Sequence, residues 1–63
     1  MTFGIALRML KEKRKVTRNV TAWNESFIYI ENNKIYKEYG SNGKYEYIPS
    51  QDDLLSEDWI EHK

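Results

Sequence analysis

The sequence predicts an α+β fold: an N-terminal helix packed on a small antiparallel meander, then a short C-terminal helical turn. Three observations point there. Phe3, Ala6, Leu7 and Leu10 recur at helical spacing. Two runs rich in β-branched and aromatic residues, 27–30 and 35–39, flank the pair Asn32-Asn33. Pro49 then stops the sheet region, and Ser50 opens a helical start.

Each element has its own warrant. Thr2 precedes the apolar stripe and serves as N-cap, and the basic residues of 11–15 suit the negative end of the helix dipole. Ile5 and Met9 form a second apolar pair about 110° away from the stripe, which predicts contact with a second copy of the chain. Residues 16–24 read as extended, with Val16, Thr17, Val20 and Thr21. Asparagine tolerates the left-handed backbone of a two-residue hairpin, so Asn32-Asn33 pairs Ile30 with Ile35 and Tyr29 with Tyr36. A four-residue loop over Gly40, Ser41, Asn42 and Gly43 would then pair Ile35 with Ile48 and Tyr36 with Tyr47. In that register Ile28, Ile30, Ile35 and Ile48 lie under the helix, and Phe27, Tyr29, Tyr36, Tyr45 and Tyr47 share the opposite face. A slip of one residue would exchange the faces of the last strand. Ser50 caps the final turn with Asp53 as its capping-box partner, and Trp59 after Leu54-Leu55 reads as core.

Residues 1–63 make one domain, too short to build a large core of its own. A chain of this size buries only about 60% of the surface its unfolded form exposes. Small domains supplement this with disulfides, a metal or self-association. Cysteine is absent and the single His62 stands at the chain end without a histidine partner, so no metal is expected and a homo-oligomer is. No window has the length of a membrane span, and the opening residues lack the basic region of a signal peptide. The expectation is a protein that keeps away from membranes and stays in the compartment where it is made.

Ten basic and ten acidic residues balance, which argues against nucleic acid as a partner. Their placement is uneven. Residues 1–24 hold six basic side chains against one acidic, and residues 45–63 hold six acidic against one basic. Either the two ends pack together, within a chain or between copies, or the basic end is kept for an anionic ligand.

Catalysis is not expected. The chain has no cysteine, no internal histidine and no glycine-rich phosphate loop. Asp52, Asp53, Glu57 and Asp58 suit a helix start better than a carboxylate pair, and Asp52-Asp53 lacks the alternating ligands of a calcium loop. No cofactor is implied. Binding is the better reading. Tyr29, Tyr36 and Tyr47 would form either a stacking platform for a planar base or a subunit interface. Trp23-Asn24 joins a large stacking surface to an amide that reads donors and acceptors, with core packing of the indole as the alternative.

The opening Met1-Thr2-Phe3-Gly4, Trp23-Asn24, the aromatic strand at 27–30 and the closing run from Ser50 through Glu57-Asp58-Trp59 together resemble a small phage family. That family includes the Thoeris anti-defence proteins of the second type. The resemblance implies a nucleotide sponge acting in the cytoplasm of an infected bacterium, without catalysis. Its ligand would be a cyclic ADP-ribose-like immune signal, and cyclic dinucleotides are reported for some members. A relative described as an inhibitor of a CRISPR nuclease implies the alternative, direct binding of a host defence protein. The resemblance also implies ligand pockets formed between subunits. Trp23 would stack on a base, Asn24 would hydrogen-bond beside it, and Arg18 would meet phosphate. Ser50, Gln51 and Asp53 would lie close by, supplied by the same or a neighbouring chain. The chain departs from the family pattern at Ile5, usually glutamate, and at Glu25, usually glycine. It also has a longer spacer over 19–22, and the short stretch 35–48 replaces a long middle segment.

Overall fold

The computed structural model describes residues 1–40 and 43–63. Helix α1 (Phe3–Lys11) is followed by strand β1 (Val16–Arg18), a 3-10 turn (Thr21–Trp23), strands β2 (Ser26–Glu31), β3 (Lys34–Tyr39) and β4 (Lys44–Glu46), helix α2 (Gln51–Leu55) and strand β5 (Trp59–Glu61). The five strands form one antiparallel sheet in the order β4-β3-β2-β1-β5. The α+β reading is therefore correct. The sheet is wider than three strands because the chain end returns beside its beginning.

Helix α1 forms where its stripe predicts. The Thr2 hydroxyl accepts from the Ile5 N–H at 3.4 Å, and Ala6 and Leu10 bury the stripe against β1, β2 and β5. The helix ends in a two-bond C-terminal motif. Arg14 N–H donates to Met9 O at 3.1 Å, Lys13 N–H donates to Leu10 O at 3.0 Å, and Lys13 stands at φ 68 between them. Glycine is the usual residue at that left-handed position.

The first hairpin has the expected register: Ile30 faces Ile35 and Tyr29 faces Tyr36, with Asn32 and Asn33 at φ 54 and 64. The second is drawn in by one residue. Tyr36 faces Glu46 and Lys37 faces Tyr45, while Tyr39 N–H donates to Gly43 O at 3.2 Å. Gly43, at φ 89, has the conformational freedom to present its carbonyl there. Ser41 and Asn42, at the tip of this loop, lie outside the described residues.

That shift corrects the expected faces. Tyr45 and Tyr47 join Ile28, Ile30 and Ile35 on the helix side, and Ile48 leaves the ladder with 82% of its surface exposed. The physical reason lies in Tyr47. On the helix side its ring meets Trp23 edge-on at 5.7 Å, and its hydroxyl finds a carboxylate acceptor, Asp53 Oδ2, at 2.5 Å. The core is small: Ala6, Leu10, Val16, Trp23, Ile28, Tyr47 and Trp59. Among the described residues no helix is long and apolar enough to cross a membrane.

Candidate functional site

Of the residues singled out from the sequence, Arg18, Trp23 and Asn24 meet where β1, the 3-10 turn and the C-terminal segment converge. The opposite charges of the two chain ends explain this in part, because they pack within one chain. β1 pairs with β5, the Met1 ammonium donates to Trp59 O at 2.9 Å, and Arg14 forks onto Glu61 at 3.0 and 2.9 Å.

Arg18 is the hub. Nε and Nη2 donate to Asp58 Oδ1 and Oδ2 at 2.8 and 3.1 Å, and Nη1 donates to Asp52 at 3.0 Å and Asp53 at 2.9 Å. Its side chain is only 11% exposed. The hydrogen bond to Asp58 outweighs the effect of burial and holds the guanidinium well above its ordinary pKa. Burial alone would raise the Asp53 carboxyl, but hydrogen bonds from Tyr47, Arg18 and the Ser50 backbone hold it below the usual carboxylate range. The acidic run thus surrounds a guanidinium, a partner whose planar fork matches carboxylates. Arg18 enters the site with its donors already engaged on carboxylates.

Trp23 is 5% exposed. Its ring packs edge-on against Trp59 at 5.2 Å and against Tyr47 at 5.7 Å. Beneath it, Trp59 is completely buried, and its indole N–H donates to Asp53 O at 3.0 Å. Asn24, next along the chain, is exposed. Arg18, Trp23 and Asn24 share one shallow groove of about 280 Å³, whose far wall is Ile60 and His62. Ser50, Gln51 and Asp53 do not line it. Ser50 Oγ accepts from the Asp53 N–H at 3.1 Å as the cap of α2, and Gln51 is exposed on that helix. A larger hollow of about 930 Å³ opens between the end of α1 and the first hairpin. Its lysines, Glu31 and asparagines are all solvated, with no aromatic or buried polar group to orient a ligand.

The tyrosines divide between the two faces. Tyr29 and Tyr36 stand 6.3 Å apart, centroid to centroid, on the face away from α1, in line with Phe27. His62 stacks on Phe27 at 4.4 Å. Lys15 and Lys44 lie over this row, 4.8 Å from Phe27 and 5.0 Å from Tyr36. Tyr47 belongs to the other side. Ile5 is about half exposed and Met9 partly buried on α1.

One residue escaped the sequence reading. Lys37 faces Ile28 on the helix side, is 8% exposed, and holds its ammonium 3.7 Å from the centre of the Trp23 ring. The signal was present in the hairpin register, which puts Lys37 between Ile35 and Tyr39 on the core-facing period of β3.

A family model described as Tad2-like, the Thoeris anti-defense 2-like domain, matches residues 1–62. No curated protein matches the chain.

Proposed function

We propose that this chain, which belongs to the Thoeris anti-defense 2-like family, is a non-enzymatic sponge that sequesters a cyclic ADP-ribose-like nucleotide signal. A Thoeris anti-defence role comes with that membership. The sponge mechanism, the ligand and the assembly are the present proposal. The observation that carries it is the groove in which Trp23, Asn24 and Arg18 meet. The indole surface that Trp23 leaves open, 5% of the residue, lies beside the exposed Asn24 amide, a pairing that can meet a base by aromatic contact and edge hydrogen bonds.

At about 280 Å³ the groove is smaller than the ~300–1,000 Å³ of ordinary ligand pockets. It therefore takes part of a nucleotide, and a second copy of the chain closes the rest. Homo-oligomerisation through α1, where Ile5 is about half exposed and Met9 partly buried against the core, suits the small core. Native mass spectrometry with cyclic ADP-ribose isomers and cyclic dinucleotides tests the reading. An oligomer gaining one ligand mass per shared groove is expected, and an oligomer or monomer that stays bare across the panel overturns it.

A second reading rests on a different observation. Ile48 and Leu55 are 82% and 79% exposed, and Leu54 is about half exposed on the same segment. Exposed apolar side chains of this kind suit capture of a host defence protein such as a CRISPR nuclease. Thermal shift separates the readings, since only the sponge is stabilised by a small molecule alone.

A further inference from the structure

Lys37 presents an unusual balance. As a whole residue it is the most buried lysine or arginine among the described residues. Buried ammonium groups ordinarily meet a carboxylate, because removing one from water is costly. Here no carboxylate of the described residues lies within ion-pair distance; the acidic cluster next door is taken up by Arg18. What surrounds the ammonium instead is aromatic: Trp23 at 3.7 Å, Tyr39 at 4.9 Å and Tyr47 at 5.9 Å from the ring centres. Cation–π attraction offsets only part of that desolvation cost. The cage positions the cation without neutralising it.

On the Tyr39 side the cage borders exposed residues. Tyr39 and Tyr45 stack at 5.4 Å, are both exposed, and join hydroxyls at 2.7 Å. Beside them Gly40 N–H donates to Glu25 O at 2.9 Å, which ties the end of β3 to the residue after Asn24. The Trp23 groove and the Lys37 cage are therefore neighbours that share the indole. The hydrogen bond with Tyr45, and after it the Lys37 ammonium, hold the Tyr39 phenol below its ordinary value despite some loss of solvent.

We propose that Lys37, with the Tyr39 and Tyr45 hydroxyls, forms an anion subsite that takes the phosphate or pyrophosphate of a nucleotide whose base lies in the Trp23 groove. The proposal rests on the sponge reading for the base but not for the anion. It assigns the phosphate to Lys37, since the donors of Arg18 are already engaged. It also gives the indole two roles, base wall on the groove side and seat of the phosphate-binding cation on the other.

Inorganic pyrophosphate is the direct probe. Titrated into the full chain and followed at the two indole N–H signals, it should shift the Trp23 resonance. The shift should disappear in Lys37→Met, which keeps the packing of the stem, and return in Lys37→Arg. The absence of a shift in the parent, or an undiminished shift in Lys37→Met, overturns the subsite. In parallel, cyclic ADP-ribose isomers are titrated calorimetrically. A loss of about tenfold or more in Lys37→Met, restored by Lys37→Arg, supports the assignment; equal affinity in parent and Lys37→Met overturns it. If pyrophosphate shifts Trp23 through Lys37 while no nucleotide binds, the subsite stands and the sponge reading falls.

Discussion

Arg18 Nη1 donates to Asp53 Oδ1 at 2.9 Å, and the other oxygen of that carboxylate accepts the Tyr47 hydroxyl. Through this pair one strand of the sheet, the start of α2 and the last tyrosine of the meander are held together. Removing Arg18 leaves Asp53 in a poorly solvated place with half its partners. Arg18→Met should destabilise the fold by about 2 kcal/mol, below the ~3–5 kcal/mol of a fully buried broken pair because Asp52 and Asp58 are partly screened by water. Urea unfolding followed by tryptophan fluorescence measures it. For a 63-residue domain holding roughly 3–9 kcal/mol in all, the loss is large.

The same cluster sets the acid response. Asp53 and Asp58 both have folded-state pKa values below the ordinary carboxylate value, Asp53 through Tyr47 and Arg18 against the effect of burial, Asp58 chiefly through Arg18. A depressed carboxylate binds fewer protons folded than unfolded, so its contribution is present above the unfolded pKa of about 4 and is lost as pH falls through the folded value. Melting temperature should hold steady from pH 7 to about 5 and fall steeply below about 4. In Arg18→Met that fall should be shallower, because without the guanidinium Asp58 loses most of its depression and Asp53 part of it, so the folded and unfolded chains bind protons more alike.

Lys13 occupies a left-handed position at φ 68 that a side chain adopts at some cost. Lys13→Gly keeps both C-terminal hydrogen bonds of α1 and should stabilise the chain by about 1 kcal/mol. A thermal melt reads it directly.

Ile5 stands where a glutamate would complete a capping box with Thr2, and no acidic residue occupies the first turn of α1. Ile5→Glu should add about 0.5 kcal/mol to the isolated chain. If α1 is the subunit contact, the same change combined with Met9→Lys should dissociate the oligomer in size-exclusion chromatography with light scattering. An unchanged assembly would place the contact elsewhere.

Asn24 separates binding from folding better than Trp23 does. Trp23→Ala removes a core ring and should cost about 3–5 kcal/mol, so its loss of binding would be mixed with unfolding. Asn24 is exposed, so Asn24→Ala should leave the melt unchanged while weakening nucleotide binding about tenfold, the worth of one buried hydrogen bond. Calorimetry beside a melt checks both at once.

Helix α1, the Asn32-Asn33 hairpin with its register, the Ser50 cap and the burial of Trp59 were all legible in the chain, because each depends on residues within a few positions of one another. Trp23-Asn24 and the run from Ser50 to Trp59 carried the family for the same reason: short motifs survive as patterns of neighbours. The folded chain decided what depends on distant partners. Whether Tyr47 or Ile48 turns inward hinges on one loop residue, and the choice falls to Tyr47 because Trp23 and Asp53 receive it there. That Arg18 is engaged by three carboxylates, and that Lys37 is left among aromatic rings, follows from β5 returning beside β1. No local pattern specifies that return; opposite charges at the two chain ends permit it, and burial of Trp59 fixes it.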